Sequence, residues 1–205
     1  EDIFAQDPQP KVDVLFVIDS SGSMSDKQNS LGTNFDSFIK FAAAQQVDYH
    51  IAVTDTGVDS AHGGLTTNGG DDLNGCFYCL KAAARFMSAQ RSGRIVAVSS
   101  VAALMGAPMR AHYCAAKAGM IGLVKAAARE LAPFGVTVNA VAPGMIRTER
   151  IEDWPADTRQ RLTESIPLRR FGEPEEVAAL IRYLISPAAG YITGQVIQID
   201  GGLRM

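Results

Sequence analysis

Little in this chain points to an unusual class. It has three cysteines, one tryptophan and a net charge of only −3 over 205 residues. Three cysteines are too few for a disulfide framework and fit a reducing compartment. A charge so close to balance gives no electrostatic footprint for nucleic acid. No apolar run approaches the roughly 20 residues that a membrane span needs, and no signal-peptide pattern opens the chain. The expectation is a cytoplasmic protein with neither nucleic acid nor membrane as partner. Hydrophobic content of 47% with 20% charged residues suits one ordinary globular α/β domain.

What is present centres on residues 93–117, GRIVAVSSVAALMGAPMRAHYCAAK. A short apolar strand, 95–98, runs into Ser99-Ser100. A loop with Gly106 and Pro108 leads to a helix carrying Tyr113 and Lys117. Four residues are about one helical turn, so both side chains share a face. An ammonium beside a phenol favours loss of the phenolic proton, which suits proton transfer near neutral pH. Ser100, at the mouth of the strand, is placed to hydrogen-bond a substrate oxygen.

Upstream, residues 1–10 are polar and read as a tail. The run 12–18 (VDVLFVI) is β-branched and almost wholly apolar, as a strand buried on both faces would be. It ends in Asp19-Ser20-Ser21-Gly22-Ser23, with Ser25 or Asp26 available to cap a helix that continues to about residue 44. A second strand covers 48–54. Residues 58–71 are rich in Gly, Asn and Asp and read as a junction. Cys76-x-x-Cys79 falls in an Ala-rich helical pattern over 73–90 with no second ligand pair, so buried helix cysteines are expected rather than a metal site. Further on come a helix over about 111–131, a strand over 136–141 and a charged stretch over 147–167 holding Trp154 and reading as a mobile lid. A helix opened by Pro174 and Glu175 and a last strand over 195–199 complete the pattern.

Several ordered motifs carry a family resemblance. They are Ser100, Tyr113-x-x-x-Lys117, Asn139-Ala-Val-Ala-Pro143-Gly144, Thr148, Arg170-Phe-Gly-Glu-Pro174 and the ending Asp200-Gly201-Gly202. Residues from about 72 to 205 resemble the C-terminal two-thirds of a short-chain dehydrogenase/reductase. The resemblance implies a nicotinamide cofactor, NAD or NADP, and a small-molecule carbonyl or alcohol substrate. Tyr113 would exchange a proton with the substrate oxygen, and Ser100 would steady that oxygen. Lys117 would assist the tyrosine and hold the nicotinamide ribose. Pro143, Gly144 and Thr148 would lie against the cofactor, and Asn139 would support the framework. Helices 73–90 and 111–131 would pack across a homo-oligomer interface.

Two departures from that pattern stand out. The family's opening glycine-rich T-G-x-x-x-G-x-G turn, which lets backbone approach a pyrophosphate, has no counterpart. By spacing, Asp72 stands where the family has a catalytic asparagine, and a carboxylate cannot donate as an amide does. The segment 11–57 instead resembles a von Willebrand factor A domain. Its Asp19-x-Ser21-x-Ser23 is that family's metal-ion-dependent adhesion motif, and a carboxylate with two hydroxyls suits Mg²⁺. Thr66 or Thr67 would add a ligand.

The expected architecture is therefore a single hybrid, or chimera, over residues 1–205. It is a doubly wound, mainly parallel five-stranded sheet of Rossmann-like or flavodoxin-like type with order 2-1-3-4-5. An order of 1-2-3-4-5 is expected to crowd every helix onto one face. In the preferred order the Asp19 loop would face Ser99-Ser100 across a ligand crevice. Three functions follow: an NAD(P)-linked oxidoreductase of reduced competence, a recombined scaffold without activity, and a Mg²⁺-dependent binding module.

Overall fold

A computed structural model describes residues 11–18, 48–55, 69–148, 151 and 153–205; for 11–18, 48–55 and 69–72 the description is of the backbone. In chain order the elements are β1 (Lys11–Ile18), β2 (Asp48–Asp55), α1 (Gly69–Gln90), β3 (Gly93–Val98) and α2 (Ala102–Met105). After these come α3 (Ala111–Leu131), a 3-10 turn (Ala132–Phe134), β4 (Val136–Pro143), α4 (Ala156–Ser165), α5 (Pro174–Ile185), a second 3-10 turn (Pro187–Ala189) and β5 (Val196–Ile199). All strand pairs are parallel, and the sheet order is β1-β2-β3-β4-β5.

The order 2-1-3-4-5 is thus corrected. The objection to a sequential order was a wet second face, and α5 removes it. Alternate residues of β3 divide between the two sides, as the pleat requires. Ile95 and Ala97 join the stripe Cys76, Cys79, Leu80, Ala83 and Met87 of α1 and Met120, Val124, Ala127 and Ala128 of α3. Val96 packs the other way, with Val141 and Leu184 of α5, and with Val98, Val177, Leu180 and Ile181 around them. A helix from late in the chain returns to cover the far side. β2 also lies between β1 and β3, so the end of β1 does not adjoin the end of β3. The expected meeting of these two strand ends is corrected with it, and Asp19, which was expected to face Ser99-Ser100 there, lies outside the described residues.

Smaller differences have local reasons. α1 begins at Gly69, so the last residues assigned to the junction belong to the helix. Gly69 and Gly70 have weak helix propensity, but the buried stripe beyond them decides the segment. Cys76 and Cys79 are 2% and 3% exposed within that stripe, as expected of core cysteines. In the stretch expected to form a lid, Ile151, Trp154, Leu162 and Ile166 pack with Met145, Phe171 and Leu203 as a third apolar cluster. The tail, the helix read to about residue 44, Asp19, Ser21, Ser23, Thr66 and Thr67 lie outside the described residues.

Candidate active site

The site begins with a buried cation. α3 turns Ala116, Lys117, Met120, Ile121, Val124, Ala127, Ala128 and Leu131 inward, a helical stripe with one lysine in it. Lys117 is 1% exposed. A buried ammonium requires polar partners. Its Nζ donates to the carbonyl of Val98 at 3.2 Å. In the opposite sense, Ser99 Oγ donates to the Lys117 carbonyl at 2.9 Å. These two bonds staple α3 to the C-terminal end of β3. Tyr113 sits one turn earlier on α3, half-buried, with its ring centroid 5.7 Å from Lys117 Nζ.

Ser100 is half-buried at the same strand end. Its Oγ accepts from the Ala102 amide at 3.1 Å and its carbonyl accepts from Ala103 at 3.0 Å, opening α2. Pairing with β4 continues past the strand: Ser99 N donates to Val141 O at 2.8 Å and Val101 N to Pro143 O at 3.0 Å. Pro143 therefore lies beside the Ser99-Ser100 turn. Gly144 N then donates to Ile199 O at 3.0 Å. A Cβ on Gly144 would stand 2.7 Å from that of Asp200, so only glycine passes there.

The chain leaving β3 goes to α3 on one face, and the chain leaving β4 goes to α5 on the other. Adjacent strands whose connections part to opposite faces open a crevice at their carboxyl ends. Ser100, Tyr113, Lys117, Pro143 and Gly144 are brought to this edge of the sheet. Thr148 is exposed farther along the arm from β4, its carbonyl accepting from Ile151 N at 2.9 Å. Asp72 falls in the first turn of α1.

Supporting polar groups frame the crevice. Asn139 is fully buried. Its Nδ2 donates to Ile192 O at 2.8 Å, and its Oδ1 accepts from Gln195 N at 3.1 Å, binding β4 to the approach of β5. Beyond Gly144, a cleft of about 90 Å³ is lined by Met145, Ile146, Arg170, Gly172, Glu176 and Asp200 among others. The Arg170 guanidinium grips both Glu176 oxygens at 2.7 Å. This forked bond, with the Glu173 amide donating to the same carboxylate, lowers the Glu176 pKa to about 2 and raises that of Arg170. Burial pushes the Cys79 thiol up to about 11, which keeps it protonated and unreactive. Among the described residues, no cluster of three His, Cys, Asp or Glu side chains could hold a metal. None of their helices is long and apolar enough to cross a membrane.

Sequence reasoning missed two parts of this frame. The structural role of Ser99 was overshadowed by Ser100, although the serine pair was visible. The ion pairs of Arg147 with Glu173 and of Arg170 with Glu176 were also missed. Their one signal was Glu173-Pro174-Glu175-Glu176, the pattern of a capped helix start.

The family model described as enoyl-(acyl carrier protein) reductase matches residues 24–204. That match takes in residues 24–57, part of the segment for which a resemblance to a von Willebrand factor A domain was expected. Among curated proteins, a 3-oxoacyl-[acyl-carrier-protein] reductase of Synechocystis sp. is 53% identical over 135 residues, covering 65% of this chain and 53% of the relative. The reductase FabG of Thermotoga maritima is 48% identical over 132 residues, covering 64% and 54% respectively. That of Staphylococcus epidermidis is 46% identical over 134 residues, covering 65% and 55%. The chain spans about half the length of these relatives. With its parallel Rossmann-like sheet and the family match over most of its length, the chain belongs to the short-chain dehydrogenase/reductase family.

Proposed function

We propose that the protein is an NAD(P)-linked oxidoreductase acting between a carbonyl and an alcohol, with a 3-oxoacyl thioester of acyl carrier protein as its substrate. The names of the similar proteins supply the substrate class. The observation that carries the reaction type is the buried Lys117 ammonium, held on the end of β3 one turn below Tyr113.

The donor set fits the nicotinamide half of such a cofactor. An ammonium suits a ribose hydroxyl, and Pro143, Gly144 and Thr148 leave an open edge beside it. A reduced nicotinamide bound there supplies a hydride to the carbonyl carbon. As the carbonyl π pair moves onto oxygen, Tyr113 gives that oxygen its hydroxyl proton, and the product is the alcohol. Lys117, with Nζ 5.7 Å from the Tyr113 ring centre, supplies a positive charge near the phenol as it loses the proton, which stabilises the transition state electrostatically. Ser100 donates a hydrogen bond to the substrate oxygen and fixes its position. Asp72, which by spacing takes the place of the family's catalytic asparagine, would accept from a water that restores the tyrosine proton.

Residues 11–57 belong to the same proposal. In this reading the hybrid is one domain, and its sequence carries Asp19, Ser21 and Ser23 where the family carries its glycine-rich phosphate loop. The Asp19 carboxylate would repel a pyrophosphate and lower cofactor affinity, and Mg²⁺ held by Asp19, Ser21 and Ser23 would offset that charge. Oligomers form through the outer faces of α1 and α3, where Phe77 and Tyr78 are 44% and 55% exposed. The test is a thermal-melt titration with NADH and NADPH, with and without Mg²⁺. A nucleotide-dependent rise in Tm supports the reading. Cooperative melting unmoved by either nucleotide overturns it.

A further inference from the structure

The arm that follows β4 is tied to one distant glycine. Gly172 N donates to Met145 O at 2.9 Å, and Arg147 N donates to Gly172 O at 2.8 Å. Ile146 and Gly172 form an isolated parallel bridge. A Cβ at residue 172 would lie 2.8 Å from Ile146 Cδ1, so any larger residue there would push the end of that side chain aside.

Charged residues on both sides of Gly172 extend the tie. Glu173 Oε1 accepts from Arg147 Nε at 2.9 Å. Glu173 N donates to Glu176 Oε2 at 2.8 Å, and Glu176 is gripped by Arg170. Glu173 caps α5 and Glu176 lies in its first turn. Leu184 anchors that helix, fully buried against the back of the sheet. Thr148, the neighbour of Arg147, thus hangs from the front of α5 as well as from β4.

We propose that Glu173 is a positioning residue. Through Arg147 it holds the arm 145–148, and with it Thr148, where the nicotinamide end of the cofactor meets the crevice. The Arg170–Glu176 fork fixes Glu173 in turn. This rests on the oxidoreductase reading above. The Arg147 and Glu173 side chains are 47% and 42% exposed. Such a pair is weak alone. Here it acts on a backbone bridge already formed, so its loss loosens the arm without unfolding the domain.

The test uses the full chain with Arg147→Met, Glu173→Gln, their combination and the conservative Arg147→Lys. Hydrogen exchange at the Arg147 and Gly172 amides reports the arm, and titration with reduced nicotinamide nucleotide reports binding. Each of the first two variants should speed exchange at both amides by about two- to fivefold, the range expected for an exposed pair. Nucleotide affinity should fall by a similar factor, with KM for the nucleotide raised and kcat little changed. The double variant should behave like either single one, because both remove one interaction. Arg147→Lys should recover most of the loss.

Unchanged exchange in Glu173→Gln, or additive effects in the double variant, would overturn the positioning role. So would faster exchange with unaltered nucleotide affinity. In these cases the parent protein still binds nucleotide, and the oxidoreductase reading stands. A parent protein that binds no nucleotide overturns that reading and this inference with it.

Discussion

The two faces of the sheet are built differently. On the α1–α3 side, Met87, Met120, Val124, Val138 and Ala140 are almost wholly buried and interlock in one core. On the α5 side, Leu184 is the buried residue of its helix, while Val177, Leu180, Ile181 and Ile185 are only partly covered. Lys117 and Tyr113 stand on the densely packed side. Thr148 and the arm hang from the thinner one. The contrast suits the proposed chemistry: proton transfer depends on fixed geometry, while a cofactor that enters and leaves needs an edge that gives.

Breaking the rigid side should have the largest effect. Tyr113→Phe removes the proton donor but leaves the ring, and kcat should fall by about 10²- to 10⁴-fold with a nearly unchanged melt. Steady-state kinetics beside calorimetry would check this. A comparable loss from a purely structural change would appear as lost stability instead. Met120→Ala cuts into the α1–α3 core and should cost about 2–5 kcal/mol in denaturant unfolding. Leu184→Ala should fall toward the lower end of the same about 2–5 kcal/mol range, because its partly covered neighbours can collapse toward the gap. Equal costs at the two sites would erase the contrast between the faces.

A subtler test concerns the fork at the head of α5. The Glu176 pKa is lowered from 4.5 to about 2, first by the Arg170 hydrogen bonds and then by the Glu173 amide. A depressed carboxylate contributes stability that is present above its unfolded value and fades as pH falls through the folded one. The fork should therefore weaken between about pH 4.5 and 2. An NMR titration of the Glu176 carboxyl would follow it. A midpoint in the ordinary carboxylate range would show that the fork does not persist in solution. The smallest effect is expected at Cys79: burial and a pKa of about 11 should leave its thiol unlabelled in the native protein at neutral pH, while Cys114, only half-buried, reacts first.

Much of the region beyond residue 93 was legible because each element announces itself locally. Pro174, Glu175 and Glu176 mark the start of α5, and its apolar period carries it to Ile185. Tyr113 and Lys117 are one turn apart on a helix whose stripe is plain. The strand order was not legible, since it depends on α5 crossing to the far face, a choice made by contacts distant in sequence. The Arg147–Glu173 pair spans 26 positions, beyond any local pattern. Gly69 and Gly70 looked like a break, and the buried face beyond them carried the helix through.

The most direct measurement is the consumption of NADH or NADPH with a 3-oxoacyl thioester substrate by the parent protein and by Tyr113→Phe. The account predicts turnover by the parent, and a loss of about 10²- to 10⁴-fold in the variant while nucleotide binding is retained. A parent that binds nucleotide yet gives the same rate as the variant would contradict the assignment of the proton to Tyr113. A parent that neither binds nucleotide nor consumes it would contradict the activity itself.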